Sequence, residues 1–129
     1  MIPIQEYTIQ VPQGSDRLFP VYIKLLTDES IDFDPVTNPF IPKDLTGYTA
    51  KMTVKEDYTK PDIILSYTSE DNLLIDPVNG LVNVTVLGLD TQDLIIDEEY
   101  IDYIYDLEIV LGTYVQRILT GNFRINAQV

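Results

Sequence analysis

The sequence lacks three residue types that carry much of protein chemistry. It has 129 residues and contains no cysteine, no histidine and no tryptophan. Without cysteine, neither a disulfide framework nor a thiolate metal site can form. Without histidine, the chain has neither the commonest general base nor the commonest metal ligand. It also contains no P-loop, dinucleotide-binding or Gly-x-Ser-x-Gly motif. We therefore expect no enzymatic activity and no cofactor.

Basic residues and long apolar runs are also scarce. Eight lysine and arginine residues stand against 21 aspartate and glutamate residues, which gives a formal net charge of −13. A chain this acidic repels nucleic acid and anionic membranes, so we expect neither as a partner. The apolar runs are too short to span a bilayer. Suitable partners are cations, basic protein surfaces, or neutral surfaces joined by backbone and apolar contacts.

The sequence is rich in β-strand patterning. Short runs alternate apolar and polar residues, and turn signals containing Gly, Pro, Asp and Asn separate them. Asn79-Gly80 is the sharpest hairpin signal. One segment, residues 88–99, fits a helical turn, with Asp90 or Thr91 as its cap and Leu94 and Ile95 packing inward. About seven strands at this spacing predict one all-β domain over residues 1–129. We expect an Ig-like antiparallel β-sandwich with one long loop.

Local turn chemistry predicts architecture at several positions. We expect Leu45 to enter the core, Gly47 to permit a sharp turn, and Asp44 or Thr46 to satisfy turn amides. Gly121, inside the last strand, indicates a bulge or a close backbone contact. Arg117 has the same parity as Gly121, so it lies near a rim or pairs with an acid such as Glu108.

Apolar residues on both faces of the last two strands predict an interface. Strand alternation places Val115 and Leu119 in the core, and leaves other apolar residues on the polar side. Such a two-sided pattern indicates a sheet that another subunit covers. Exposed aromatic residues fit an interface as well. The interface candidates are Phe33, Phe40, Ile104, Val110, Tyr114 and Ile118.

The segment 27–42 is predicted to be a long surface loop with possible function. It carries several acids, and carboxylates are the ligands that calcium prefers. If calcium binds, the candidate ligands are Asp28, Asp32 and Asp34. A second acidic cluster follows at residues 97–102. Neither cluster has EF-hand spacing, and a solvated loop rich in turn-forming aspartate explains both, so we expect no metal.

Five motifs, taken in order, resemble a family of small β-sandwich domains in tailed bacteriophages. The resemblance is to the N-terminal domain of upper-baseplate proteins. The family pattern has a Gly-x-Asp turn before the first core strand, Leu-Thr-Gly opening the next strand, an Asp-x-x-x-Gly hairpin, and a Tyr-Asp-Leu strand paired with a last strand that contains Gly. The matching residues are Gly14, Asp16, Asp44, Leu45, Thr46, Gly47, Asp76, Gly80, Tyr105, Asp106, Leu107 and Gly121.

The resemblance implies a non-enzymatic structural component of a tailed-phage virion, in the tail, the baseplate or the head. Its partners would be other virion proteins, and it would form a symmetric oligomer in the particle. One alternative is capsid decoration or head-fibre anchoring, because β-sandwiches serve there too. Another is a carbohydrate-binding or host-adhesion module, for which Phe33, Tyr58 and Tyr67 are the candidate aromatics.

Overall fold

A computed structural model describes residues 5–127, which form eleven strands and one short helix. The largest sheet, sheet A, contains β1 (Gln5–Glu6), β2 (Ile9–Pro12), β6 (Thr49–Asp57), β7 (Lys60–Thr68), β10 (Tyr100–Leu111) and β11 (Tyr114–Asn126). Their order is β1-β11-β10-β6-β7, and β2 also pairs with β11. The pairings of β1 and β2 with β11 are parallel, whereas the other pairings in sheet A are antiparallel.

Two smaller antiparallel sheets complete the described fold. Sheet B contains β3 (Arg17–Tyr22), β8 (Leu73–Asp76) and β9 (Leu81–Val86), in the order β3-β9-β8. Sheet C pairs β4 (Lys24–Leu26) with β5 (Phe40–Pro42). The helix α1 (Gly88–Thr91) follows β9. Within the described residues, no helix has the length and apolar character needed to cross a membrane.

The core forms where the apolar faces of sheets A and B meet. Alternate residues of β6, β9 and β10 are buried, as the period of two in the sequence requires. Each large apolar side chain that is buried contributes about 1.5–3 kcal/mol relative to exposure. The largest fully buried side chains are Val11, Leu45, Met52, Val54, Leu73, Val82, Val84, Tyr105, Leu107, Ile109, Phe123 and Ile125.

The predicted fold class is confirmed: the chain is all-β and sandwich-like, with one short helix. The strand count is higher than predicted because β1, β4 and β5 are too short to give an alternation signal. The segment 27–42, predicted to be a loop, contains β5 for this reason. Pro20 lies in β3, an edge strand, where its missing N–H breaks no pairing.

A β-bulge in β11 changes the predicted parity of its first half. Leu107 pairs with Leu119 and Glu108 pairs with Arg117, so Ile118 is the extra residue. Ile118 is 4% exposed and belongs to the core. Val115 is 55% exposed and pairs with Val110 on the outer face. The predictions that Val115 is a core residue and Ile118 a surface residue were therefore wrong.

The helical segment also differs from its prediction. Its N-cap is Leu87, which makes no side-chain capping bond, so neither Asp90 nor Thr91 caps the helix. Leu94 packs against the core as expected, but Ile95 is exposed and Ile96 takes its place. The cap prediction failed because α1 has a single turn. Contacts with a neighbouring loop hold α1 in place of a side-chain cap.

The predictions for residues 44–47 and for Gly121 are confirmed. Leu45 is fully buried, Gly47 has a φ of +81°, and one carboxylate oxygen of Asp44 accepts bonds from the N–H and hydroxyl of Thr46 at 2.9 and 2.6 Å. Gly121 has a φ of +149°, and a Cβ there would overlap the carbonyl of Tyr7. These residues shape the backbone.

Candidate interaction surfaces

Residues 27–42, named here the acidic hairpin, lead from β4 through a loop into β5, and one buried side chain holds the loop together. Asn38 is 1% exposed. Its Nδ2 donates to the carbonyl oxygens of Asp28, Ile31 and Asp32 at 2.9, 3.2 and 3.0 Å. Its Oδ1 accepts the N–H of Asp28 at 2.7 Å. Sequence analysis missed this residue, because an asparagine among turn-forming residues has no distinguishing pattern.

Apolar side chains are exposed on the acidic hairpin. The rings of Phe33 and Phe40 stack on each other with centroids 4.9 Å apart and an interplanar angle of 20°. Both side chains remain 52% exposed, and Ile31, Val36 and Ile41 are also exposed. The structure therefore brings together two of the predicted interface residues, Phe33 and Phe40. An ordered and half-exposed aromatic pair is typical of a protein contact.

Two of the calcium candidates of the acidic hairpin, Asp28 and Asp34, are engaged in separate turns. The Asp28 carboxylate accepts bonds from the hydroxyl and N–H of Ser30 at 2.6 and 2.9 Å, and these bonds lower its pKa. The Asp34 carboxylate accepts the N–H groups of Thr37 and Val36, which lower its pKa likewise. Residues 5–127 contain no group of three or more acidic side chains that could hold a metal ion. Asp28, Asp32 and Asp34 do not converge on a common point.

The outer face of sheet B is almost free of charge. Val82, Val84 and Val86 face the core, so the residues between them and their cross-strand partners face outward. Leu18 and Leu74 on this face are 64% and 69% exposed. Asp76 is the one charged residue of the face, and it accepts a bond from Asn79 at 2.8 Å. The face, named here the neutral face, consists of Leu18, Pro20, Tyr22, Leu74, Asp76, Leu81, Asn83 and Thr85.

The outer face of sheet A carries ion pairs instead of the predicted apolar interface. Arg124 forms a bidentate ion pair with Asp102 at 2.8 and 2.9 Å, and its guanidinium stacks over the ring of Tyr100. This contact lowers the pKa of Asp102. Arg117 lies opposite Glu108, as expected, but its ion pair is with Asp106 at 3.4 Å.

The predicted interface residues on sheet A are separated from one another. Ile104 is half-buried between Lys55 and Asn122, its cross-strand partners. Val110 is also half-buried and has Thr49 and Val115 as partners. Tyr114 is exposed at the start of β11. Since Ile118 belongs to the core, Ile104, Val110 and Tyr114 do not form one apolar surface.

A polar clasp joins the turn at residues 13–16 to α1. The Asp16 carboxylate accepts the N–H of Gly88 at 2.7 Å, and the Thr91 hydroxyl accepts the N–H of Gly14 at 2.9 Å. Gln13 Nε2 donates to the carbonyl of Leu94 at 2.7 Å. The Gly-x-Asp motif of the resemblance therefore contacts the segment that follows β9. These hydrogen bonds join the two loops.

The three aromatic candidates for carbohydrate binding differ in solvent exposure. Tyr67 is 2% exposed, and its hydroxyl donates to Asp90 at 3.1 Å. Burial raises the pKa of Tyr67, and the charge of Asp90 adds to the effect. Tyr58 and Phe33 are exposed. Tyr67 was therefore wrongly predicted to be available to a ligand.

A cleft of about 460 Å³ lies beside the acidic hairpin. Val21, Phe40 and Ile118 are among its apolar lining residues, and Gln5 and Lys24 supply polar groups. Catalytic pockets require convergent polar groups within reach of a substrate. This lining is better suited to an apolar side chain of a partner.

Comparison with known proteins leaves the family open. A scan against protein-family models finds no match, and a search of the curated proteins finds no significantly similar sequence. The surfaces described above are therefore the structural basis for a functional proposal.

Proposed function

We propose that this protein is a non-enzymatic structural component of a tailed-phage virion and acts through protein–protein contacts. The observation that carries the proposal is the neutral face of sheet B. In a chain with a net charge of −13, apolar residues such as Leu18 and Leu74 are exposed on a face whose one charged residue is Asp76. Exposed apolar surface of this kind marks sites of association.

The occupant that we propose for the neutral face is a second copy of the chain. Two copies of so acidic a protein repel each other except where few charges meet. The outer face of sheet A carries acidic residues such as Glu108 and basic residues such as Lys51 and Arg117, so self-association there would bury many charges. The neutral face is better suited to self-association. A two-fold contact would place the neutral face of one copy against the neutral face of the other. Two-fold symmetry is the commonest symmetry of homo-oligomers.

The virion location rests on the resemblance of the ordered motifs to phage β-sandwich domains. In the structure, the matched glycines and aspartates have roles in turns and in the clasp. Tail or baseplate remains the first location that we propose. Capsid decoration or head-fibre anchoring remains the alternative, with the same contacts serving a different neighbour.

Two measurements test this proposal. Mass spectrometry of gradient-purified phage particles, produced by the strain that carries the gene, should detect the chain in a fixed ratio to the other virion proteins. Absence of the chain from the particles would overturn the virion location.

Sedimentation velocity of the purified chain tests the neutral face. The double substitution Leu18→Glu and Leu74→Glu should abolish concentration-dependent association by placing like charges opposite each other. Lys51→Glu on sheet A changes the net charge by the same amount and is the matched control, which should associate like the wild type. Equal association of all three proteins would contradict the assignment of this face.

A further inference from the structure

We propose that the acidic hairpin docks on a basic partner protein, at an apolar depression bordered by lysine or arginine side chains. The inference extends the assembly function proposed above, on which it rests, and concerns a second surface. Phe33 and Phe40 would enter the depression, and the carboxylates around them would meet the cations of its border.

The charge of the acidic hairpin defines the chemistry of this partner. Between Thr27 and Pro42 the sequence contains Asp28, Glu29, Asp32 and Asp34 and no lysine or arginine. These four acidic residues repel a second copy of this acidic chain, an anionic membrane and nucleic acid. A basic protein surface is the partner whose potential complements the hairpin.

The apolar content of the hairpin indicates a protein contact in which apolar surface becomes buried. The stacked rings of Phe33 and Phe40 present an exposed apolar surface. Aromatic anchors at the centre of an interface, surrounded by polar residues, carry much of the affinity of protein complexes. Phe40 also lines the cleft beside the hairpin, so the apolar surface continues towards Ile118.

The hairpin is ordered before any partner binds. Asn38 makes four hydrogen bonds to the hairpin backbone, and its N–H and carbonyl pair with Asp34 at 2.9 and 3.1 Å. The carboxylates of Asp28 and Asp34 close two further turns. A preformed loop loses less conformational entropy on binding than a flexible one. This order explains how the aromatic pair can remain exposed without collapsing onto the core.

The test uses phage particles that lack the chain, to which purified full-length variants are added. Wild-type protein should bind the particles, and the affinity should fall as sodium chloride increases because ion pairs are screened.

The double substitution Phe33→Ser and Phe40→Ser should weaken binding by roughly tenfold or more, the loss typical of aromatic anchors. Asp32→Lys should also weaken binding and flatten the salt dependence. Asp62→Lys on β7 is the charge-matched control and should bind like the wild type.

The outcomes separate the two proposals. If wild-type protein does not bind the particles and is absent from native ones, the virion function fails. If wild type binds and the phenylalanine and Asp32 variants bind equally well, the hairpin inference alone is overturned. If Asp32→Lys strengthens binding, the docking surface is not basic and the inference is overturned. Loss of glycan binding in the phenylalanine variant, with particle binding intact, would overturn it in favour of host adhesion. Unchanged thermal unfolding of each variant excludes misfolding as the cause.

Discussion

At the scale of single residues, Gly121 has the strictest requirement. It lies in β11 opposite Tyr105, and the chain between β1 and β2 passes alongside it. The N–H of Tyr7 donates to the carbonyl of Thr120, and the hydroxyl of Tyr105 donates to the carbonyl of Tyr7 at 2.7 Å. The backbone of Tyr7 therefore occupies the space that a side chain at position 121 would need.

We expect Gly121→Ala to destabilise the fold by about 2–4 kcal/mol, from the positive φ and the contact with the Tyr7 backbone together. Gly112→Ala is the control, because Gly112 also has a positive φ, +60°, but nothing lies within 4 Å of an added Cβ. It should cost about 1 kcal/mol. Urea unfolding followed by circular dichroism measures both. Equal losses would show that the contact with Tyr7 is unimportant.

At the scale of elements, the bulge in β11 decides which residues of the strand enter the core. Leu119 and Ile118 are consecutive in sequence and both buried, which a regular strand does not allow. The extra residue turns Val115 outward while Phe123 and Ile125 remain inward. The bulge thus inverts the facing of the first part of the strand relative to the rest.

Substitutions at the bulge and before it should differ in their effect on stability. Ile118→Ala removes a buried side chain and should lower the free energy of unfolding by about 2–4 kcal/mol. Val115→Ala removes an exposed side chain and should change it by less than about 0.5 kcal/mol. The denaturation midpoints of the two variants provide the measurement. A larger loss for Val115→Ala would mean that β11 is regular.

At the scale of the whole molecule, the acidic charge is distributed unevenly. Sheet A places Arg117 and Arg124 beside aspartates, the neutral face has Asp76 alone, and the sequence of the acidic hairpin contains acidic residues but no lysine or arginine. The regions where opposite charges attract each other are therefore partly separated from the regions where like charges repel each other. The excess of acids leaves a net repulsion that opposes the compact state.

Salt should stabilise the folded protein by screening that repulsion. We expect the urea midpoint to rise between 10 mM and 0.5 M sodium chloride, as the screening length falls from about 30 Å to a few ångströms. A variant with Asp62→Lys and Glu70→Lys is less acidic and should respond less to salt. Thermal or urea unfolding at several salt concentrations measures the response. A midpoint that falls with salt would indicate that ion pairs outweigh the repulsion.

The sequence predicted the all-β class and most of the core because a period of two needs no knowledge of partners. It placed Leu45 correctly from the turn chemistry of residues 44–47. It failed at Ile118 and Val115, since a bulge adds a residue without changing the composition of the strand. It missed Asn38, whose role depends on backbone carbonyls that only the folded hairpin brings together. Phe33 and Phe40 were predicted as individual interface residues, and their stacking depends on the folded hairpin.

The parallel pairing of β1 and β2 with β11 has a consequence for synthesis. Gln5 pairs with Leu119 and Pro12 with Asn126, so more than a hundred residues separate the partners along the chain. On the ribosome, the first strands are made early and must wait for the last to emerge. Until then, Ile9 and Val11 have no β11 to cover them, and the nascent chain exposes them to chaperones.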